Sequence, residues 1–218
     1  MKHTILSSLE NLPYFSIEGF RQLTGEKITT AAHARIALNR WVKAGYLVAL
    51  KKGIYVHHRF YEQHCREAEF SAMVSGILVP LSYLSMEFIL QRYGILTEVT
   101  YPYTAITTKN TRTIINSVGL FEYRHIRRDL YLGYHIYEAY SVPYAQASVA
   151  KALFDYLYFR PQTARIGSPD YDLSDDLRLN LEEFSPADKN EFVGYINASG
   201  LKKMNRILAN LENHLWRL

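Results

Sequence analysis

Residues 41–57 read WVKAGYLVALKKGIYVH, and the hydrophobic period changes within them. Up to Gly45 the apolar side chains recur at helical spacing, whereas residues 46–50 and 54–57 are β-prone runs. Gly53, in the segment that joins the two runs, can take the positive φ that a tight turn requires. The stretch therefore predicts the end of a helix followed by a β-hairpin with a basic tip.

Three short helices are predicted ahead of this hairpin. The first covers residues 4–11, and the second is N-capped by Ser16 and ends at Gly25. The third begins at Thr29 or Thr30 and runs to Ala44, where Gly45 ends it. Its buried face carries Ala34, Leu38 and Trp41. Three helices followed by a hairpin are the plan of a winged helix-turn-helix domain, which the sequence places at residues 1–62.

Charge is distributed unevenly along the chain. Residues 1–65 hold nine Lys and Arg against four Asp and Glu, a net charge of +5. Residues 66–218 hold sixteen against seventeen, a net charge of −1. A basic excess confined to one end is typical of a chain that meets nucleic acid there. A solvated basic face is the alternative reading of the same charges.

The outward face of the third helix is the predicted site of DNA recognition. Arg35 and Asn39 lie one turn apart and are suited to guanine and adenine edges in the major groove. Arg40 and Lys43 are placed for phosphates, and Lys51 and Lys52 would meet the backbone or minor groove from the hairpin tip. The predicted DNA-binding residues are Thr30, Ala32, His33, Arg35, Ile36, Asn39, Arg40, Lys43, Lys51 and Lys52. An amphipathic helix with solvated Arg and Lys is the alternative.

Composition excludes several classes of protein. A hydrophobic share of 48% with 14% aromatic residues excludes global disorder. The single Cys65 excludes an internal disulfide framework and suits a reducing compartment. The longest apolar run, residues 72–81, is interrupted and too short to span a bilayer, and the chain does not open on a signal peptide. We therefore expect a cytoplasmic protein with no membrane association.

Residues 66–218 predict a larger, mixed domain. Helices are expected near residues 66–78, after a cap at Ser82 or Ser85, over 144–159, and after a capping box at Ser185. Strands are expected at residues 99–101, 104–108, 121–126 and 130–137, the last two joined by a hairpin turn at 127–129. The predicted fold class is thus α/β (α+β), with the winged helix-turn-helix followed by a larger mixed α/β domain at residues 66–218.

A second concentration of basic residues occurs in this domain. Its members are Lys109, Arg112, Arg124, Arg127 and Arg128. They are interpreted either as an additional DNA-contact surface or as a docking face for a nucleotide, an RNA or a partner. A solvated hairpin tip is the alternative.

Several short motifs resemble the AbiEi abortive-infection antitoxins. Residues 41–47, leading into Lys-Gly-Ile-Tyr at 52–55, resemble the winged-helix half of that family. Residues 81–95 look like the opening helix of its second domain. Matching segments follow in the same order at residues 104–109, 121–133 and 147–155.

The resemblance implies an antitoxin of a type IV toxin–antitoxin system that represses its own operon. Its expected partners are double-stranded operator DNA with inverted repeats and, functionally, a nucleotidyltransferase-like toxin that it counters without stable binding. The alternative is a metal-dependent, nuclease-like enzyme that the winged helix delivers to nucleic acid. The sequence predicts no catalytic residue, metal site or cofactor, because the Asp residues at 170, 172, 175 and 176 lie in an expected loop. The histidines at 57, 58 and 64, with Cys65, also lack a recognised ligand spacing.

Overall fold

A computed structural model describes residues 2–25, 30–97, 102–161, 164–168, 170–182 and 184–216. Helices and strands are mixed along these residues, so the predicted α/β class is confirmed. The strand predicted at residues 99–101, and Thr29 as a helix start, fall outside the described residues.

The first part of the chain forms three helices and a small antiparallel sheet. Its elements are α1 (Lys2–Leu9), β1 (Phe15–Ser16), α2 (Ile17–Thr24), α3 (Ala31–Lys43), β2 (Leu47–Lys51) and β3 (Ile54–His57), and the strands lie in the order β1-β3-β2. The predicted caps are present, since Ser16 accepts from the amide of Gly19 at 3.0 Å and Thr30 from that of His33 at 3.2 Å. Gly53 turns the hairpin with a φ of 87°.

The rest of the chain is built on a six-stranded mixed sheet. Its elements are α4 (His58–His64), α5 (Ala68–Leu78), β4 (Ser82–Leu84), α6 (Glu87–Arg92), β5 (Tyr103–Thr107), β6 (Arg112–Ile115), β7 (Leu120–His125), β8 (Tyr134–Ala139), β9 (Val142–Ala147), α7 (Val149–Phe159), α8 (Leu173–Asp176), α9 (Pro186–Ser199) and α10 (Lys202–His214). The strand order is β6-β7-β5-β4-β9-β8. β4 runs parallel to β9, β5 runs parallel to β7, and the other neighbours are antiparallel.

The hairpin predicted at residues 127–129 is wrong. β7 and β8 are separated in the sheet by β5, β4 and β9, and Arg128–Leu130 forms a 3₁₀ turn. β8 pairs instead with β9, through a turn in which Tyr140 and Ser141 have φ values of 53° and 63°. Two successive positive φ values are the requirement of the tightest hairpin turns, which Gly and Asn normally meet. Because neither residue is Gly or Asn, this turn has no signature in the local sequence.

Two predicted helix starts are also corrected. Ser82 and Ser85 cap no helix: Ser82–Leu84 is strand β4, and α6 begins at Glu87 after Met86, whose φ is 55°. The helix predicted from residue 144 begins only at Val149, since Val142–Ala147 is strand β9. Both misplaced segments are interior strands of the sheet, whose short apolar runs have no clear period.

Two clusters of buried side chains hold these elements together. The smaller one joins α1, α2, α3 and the hairpin around Phe20 and Leu38. The larger one fills both faces of the six-stranded sheet, and it also includes Leu50 and Val56 from the hairpin. The predicted boundary at residues 62–66 begins within the last turn of α4, which ends at His64, and ends before α5. The hairpin nevertheless contributes to both clusters, so the division into domains stays a prediction.

A buried ion pair ties α7 to the centre of this sheet. Lys151 and Asp155 are completely buried, and their Nζ and Oδ1 atoms lie 2.5 Å apart. The other carboxylate oxygen of Asp155 accepts hydrogen bonds from the hydroxyl groups of Tyr83 at 3.1 Å and Ser85 at 2.7 Å. Tyr83 lies in β4, and Ser85 follows directly after this strand. Burial raises the pKa of Asp155, and the charge of Lys151 opposes that rise. The pair is satisfied only while both partners are present.

We expect Lys151→Met to lower the free energy of unfolding by about 3–5 kcal/mol, because it leaves a buried carboxylate without its cation. The double variant Lys151→Met/Asp155→Asn should recover most of this loss, since the amide oxygen still accepts from Ser85. The single variant's deficit should shrink at acid pH: its Asp155 has a raised pKa when folded, so stability falls as the pH rises through that value. Urea unfolding at several pH values measures both effects. Equal instability of the two variants would contradict the account.

Candidate nucleic-acid interface

The face of α3 predicted to recognise DNA is exposed. Ala34 and Leu38 are fully buried, and Trp41 packs edge-on against Phe20 with ring centroids 5.4 Å apart. The opposite side of the helix is therefore turned to solvent. The exposed side chains are those of Ala32, His33, Arg35, Ile36, Asn39, Arg40 and Lys43, as predicted. Thr30 is exposed too, and its hydroxyl serves as the N-cap of the helix.

The cations of α3 lie at different places around this face. Arg35 is on the flank nearest β3: burial raises the pKa of the Tyr55 phenol there, and the charge of Arg35 opposes that rise. Arg40 follows five residues later, about 140° further round the helix, and so lies on the other flank. Asn39 and Ile36 occupy the outermost row between the flanks, where the Ile36 side chain is 50% exposed. At 3.6 residues per turn Lys43 also falls between Asn39 and Ile36, so the face has one cation near its centre and one towards each flank.

The sequence predicts that Lys51 is available for DNA at the hairpin tip, and this prediction is wrong. The Nζ atom of Lys51 donates to the carbonyl oxygens of Ile77 at 2.6 Å and Leu78 at 3.2 Å, at the end of α5. These carbonyls lack partners within the helix, and the C-terminal end of a helix attracts a cation. Burial lowers the pKa of Lys51, and the nearby charge of Lys109 lowers it further. The ammonium group therefore fixes the hairpin to α5, and Lys52 is the exposed lysine of the tip.

The register of the sheet places members of the second basic group predicted from the sequence on opposite faces. Arg112 on β6 lies directly opposite Tyr123, so the two side chains share one face of the sheet. Arg124 is the next residue after Tyr123 and points to the other face, where it lies 3.7 Å from Glu122. The prediction of one surface that includes both arginines is therefore wrong. Side-chain alternation separates them.

Arg127 and Arg128 also belong to different surroundings. Arg127 donates to the carbonyl oxygen of Ser199 at the end of α9, and its Nε lies 3.1 Å from a carboxylate oxygen of Asp129. It thus links the end of β7 to the helical layer. Arg128 is exposed in the 3₁₀ turn.

The two basic regions predicted from the sequence meet at the hairpin tip. Lys109 donates to the carbonyl oxygen of Pro80 at 2.7 Å, two residues beyond the carbonyl that Lys51 holds. Arg112 starts the strand that follows Lys109, and both side chains are exposed, like that of Lys52. We call Lys52, Lys109 and Arg112 the junction surface. The segments that converge there, residues 46–61, 70–86 and 102–121, contain no Asp or Glu.

The sequence also shows an absence of acidic residues around α3 and the hairpin. The 35 residues between Glu26 and Glu62 contain no carboxylate, whereas 21 carboxylates in 218 residues would place about three there. The cations of this stretch are Lys27, Arg35, Arg40, Lys43, Lys51, Lys52 and Arg59. Arg59 lies 3.4 Å from Glu10, the residue that follows α1.

Several of the residues weighed as metal ligands have structural partners. Asp172 caps α8, and Asp176 accepts from the Tyr171 hydroxyl at 2.9 Å. The Nδ1 atom of His57 accepts from the amide of Arg59 at 3.2 Å. Across the described residues, no three His, Cys, Asp or Glu side chains are grouped so that they would hold a metal ion. The helices within those residues are also too short or too polar to cross a membrane.

Neither a scan against protein-family models nor a search of curated proteins found a match to this chain. The likeness to the AbiEi antitoxins therefore stays a prediction from short motifs.

We expect Lys51→Met to lower the free energy of unfolding by about 1–3 kcal/mol, because the last carbonyls of α5 lose a charged donor. Lys52→Met is the matched control, since it makes the same substitution one residue away on an exposed side chain. Urea unfolding of the two variants provides the comparison. Equal midpoints for Lys51→Met and the unchanged chain would show that the contact with α5 contributes nothing to stability.

Proposed function

We propose that the protein is a DNA-binding transcription regulator that reads duplex DNA with α3, in the manner of a winged helix-turn-helix protein. The observation that carries the proposal is the exposed face of α3, which presents cations from a stretch of 35 residues without a carboxylate. A phosphate backbone repels carboxylates as strongly as it attracts cations, so their exclusion fits a polyanionic partner. A merely soluble helix needs no such exclusion.

The composition of the α3 face suits the major groove. Arg35 is suited to the two acceptors of guanine, and Asn39 to the donor and acceptor of adenine. Ile36, half exposed at the centre of the face, offers the apolar contact that a thymine methyl group takes. Ala32 is small enough to let the start of the helix approach the bases.

The junction surface would contact phosphates beside the groove. Lys52, Lys109 and Arg112 are exposed, and the segments that contain them, residues 46–61 and 102–121, carry no acidic residue. Phosphate contacts fix position without reading sequence. This proposal extends the DNA contact from the hairpin to the edge of the six-stranded sheet.

The resemblance to AbiEi antitoxins supports a narrower proposal, an autorepressor that counters a nucleotidyltransferase-like toxin. Two experiments address it. Repression is tested with a reporter fused to the DNA upstream of the chain's own gene. Neutralisation is tested by co-expression with the product of a neighbouring nucleotidyltransferase-like gene, and cell growth that fails to recover would contradict the antitoxin proposal while leaving DNA binding intact.

We expect Arg35→Ala to weaken binding to the DNA upstream of the chain's own gene by about 1–3 kcal/mol, because one bidentate base contact is lost. Binding to a scrambled duplex of equal length should change much less. Fluorescence titration of both duplexes measures the difference. Arg206→Ala is the matched control, because it removes an equal charge from an exposed position on α10.

Lys52→Ala provides the complementary contrast. It should weaken both duplexes alike and reduce the salt dependence of binding by about one counterion, as the loss of a phosphate contact does. If Arg206→Ala weakens binding as much as Arg35→Ala, the effect is one of net charge alone and the assignment to α3 fails.

A further inference from the structure

Strand β8 forms one edge of the six-stranded sheet and is open along its outer side. Among the described strands it pairs only with β9, and its register runs without a break from Tyr134 opposite Ala147 to Ala139 opposite Val142. The residues at its centre, 135–138, are exposed. The backbone groups that point away from β9 are therefore available to another strand.

The pattern of hydrogen bonds between β8 and β9 shows which backbone groups point outward. The amide of Ser148 donates to the carbonyl oxygen of Gly133 at 3.0 Å, so the odd-numbered residues of β8 bond to β9. Pro143 gives an independent check: it lies opposite Glu138, a position where the ladder requires no N–H from it. The N–H and C=O groups of Tyr134, Ile136 and Glu138 consequently point outward.

The edge lacks the features that usually prevent strand pairing. It contains no Lys, Arg or Pro and no bulge. Ile136 is 67% exposed, and it lines a groove of about 310 Å³ together with Leu81, which is 71% exposed. By contrast, the opposite edge strand, β6, has only four residues and starts with Arg112. The two edges are thus unequal, and β8 is the one suited to a partner.

We propose that β8 pairs with β8 of a second copy of this chain, antiparallel about a two-fold axis at Ile136. When the axis is perpendicular to the sheet, paired side chains from the two copies lie on the same face. Even-numbered residues of β8 therefore pair with even-numbered residues, and odd-numbered with odd-numbered. Centred on Ile136, it brings together the outward-pointing groups of Tyr134, Ile136 and Glu138 from both copies. Every outward N–H and C=O of these residues then has a partner.

The side chains of β8 are complementary to themselves in this register. Ile136 lies opposite Ile136 of the second copy, which adds apolar surface beside the groove. The Tyr134 phenol lies opposite the Glu138 carboxylate of the second copy, a donor against an acceptor. On the other face Tyr137 lies opposite His135, so no like charges meet. A second copy is therefore the occupant that the edge fits.

The pairing goes beyond the proposed function and is measured without DNA. A two-fold dimer presents two α3 helices related by the same axis, the symmetry that an inverted repeat has. If the protein does not bind DNA, the dimer proposal is unaffected. If the protein is a monomer, the proposal that one α3 helix binds DNA is unaffected.

The test compares the same substitution on the two edges of the sheet. Light scattering should give the unchanged chain twice the 25.3 kDa mass of one copy. Ile136→Lys should give a monomer, because the two lysines would face each other across the axis. Ile115→Lys, at a residue on β6 that is 77% exposed, should remain a dimer. Circular dichroism checks that all three chains are folded.

A crosslink tests the register. In a Cys65→Ser background, oxidised Ile136→Cys should form a covalent dimer, since paired Cα atoms at such a position lie about 5.5 Å apart. Tyr137→Cys should not, because its copies would lie diagonally, about 7–8 Å apart. A monomeric unchanged chain, a dimer that withstands Ile136→Lys, or equal crosslinking by the two cysteine variants would overturn the proposal.

Discussion

The hairpin β2–β3 is buried on both faces, and its two faces belong to different hydrophobic clusters. Leu47 and Tyr55 pack with the three N-terminal helices, whereas Leu50 and Val56 pack with the six-stranded sheet. A two-stranded hairpin alone is marginally stable in water, so both packings support it. The orientation of α3 relative to the large sheet follows from this one element. A change on either face of the hairpin therefore affects the surface proposed to bind DNA.

The same constraint explains why a basic residue of the hairpin serves the fold. A hairpin that packs against α5 brings Lys51 to carbonyl groups that lack partners within the helix, and a charged donor there stabilises the contact. Lys109 does the same for the carbonyl of Pro80, two residues beyond Leu78. Lys52 and Arg112 stay exposed beside these two lysines. Structural and exposed cations thus concentrate at one place, which becomes electropositive because the surrounding segments supply no carboxylate.

Features that depend on a few adjacent residues could be predicted from the sequence. Ser16 and Thr30 cap helices, and Gly53 turns the hairpin, because caps and turns are decided by side chains within three or four positions. The period-2 runs likewise placed the hairpin strands. The face of α3 exposed to solvent was predicted for the same reason, since Ala34 and Leu38 mark its buried side at helical spacing.

Features that depend on distant pairing could not be predicted in this way. Nothing near Arg124 indicates that it turns away from Arg112, because their faces follow from the register between β6 and β7. The place of β8 at the far edge of the sheet depends on β9, which reads as part of a helix when its neighbours are unknown. The role of Lys51 depends on α5, 26 residues along the chain. A basic residue can be located in a sequence, but its partner is located only by the fold.

Gly133 connects the buried core to the open edge. It precedes β8 with a φ of 77°, and a Cβ there would collide with the Tyr195 side chain and approach Lys151 Cγ to 3.0 Å. Only glycine combines this backbone conformation with so close an approach. The carbonyl of Gly133 also receives the Ser148 amide, the bond that sets the hydrogen-bonding phase of β8. The residue that fits against the buried Lys151 thus determines which backbone groups β8 presents to solvent, so the recognition properties of the edge are fixed from within the core.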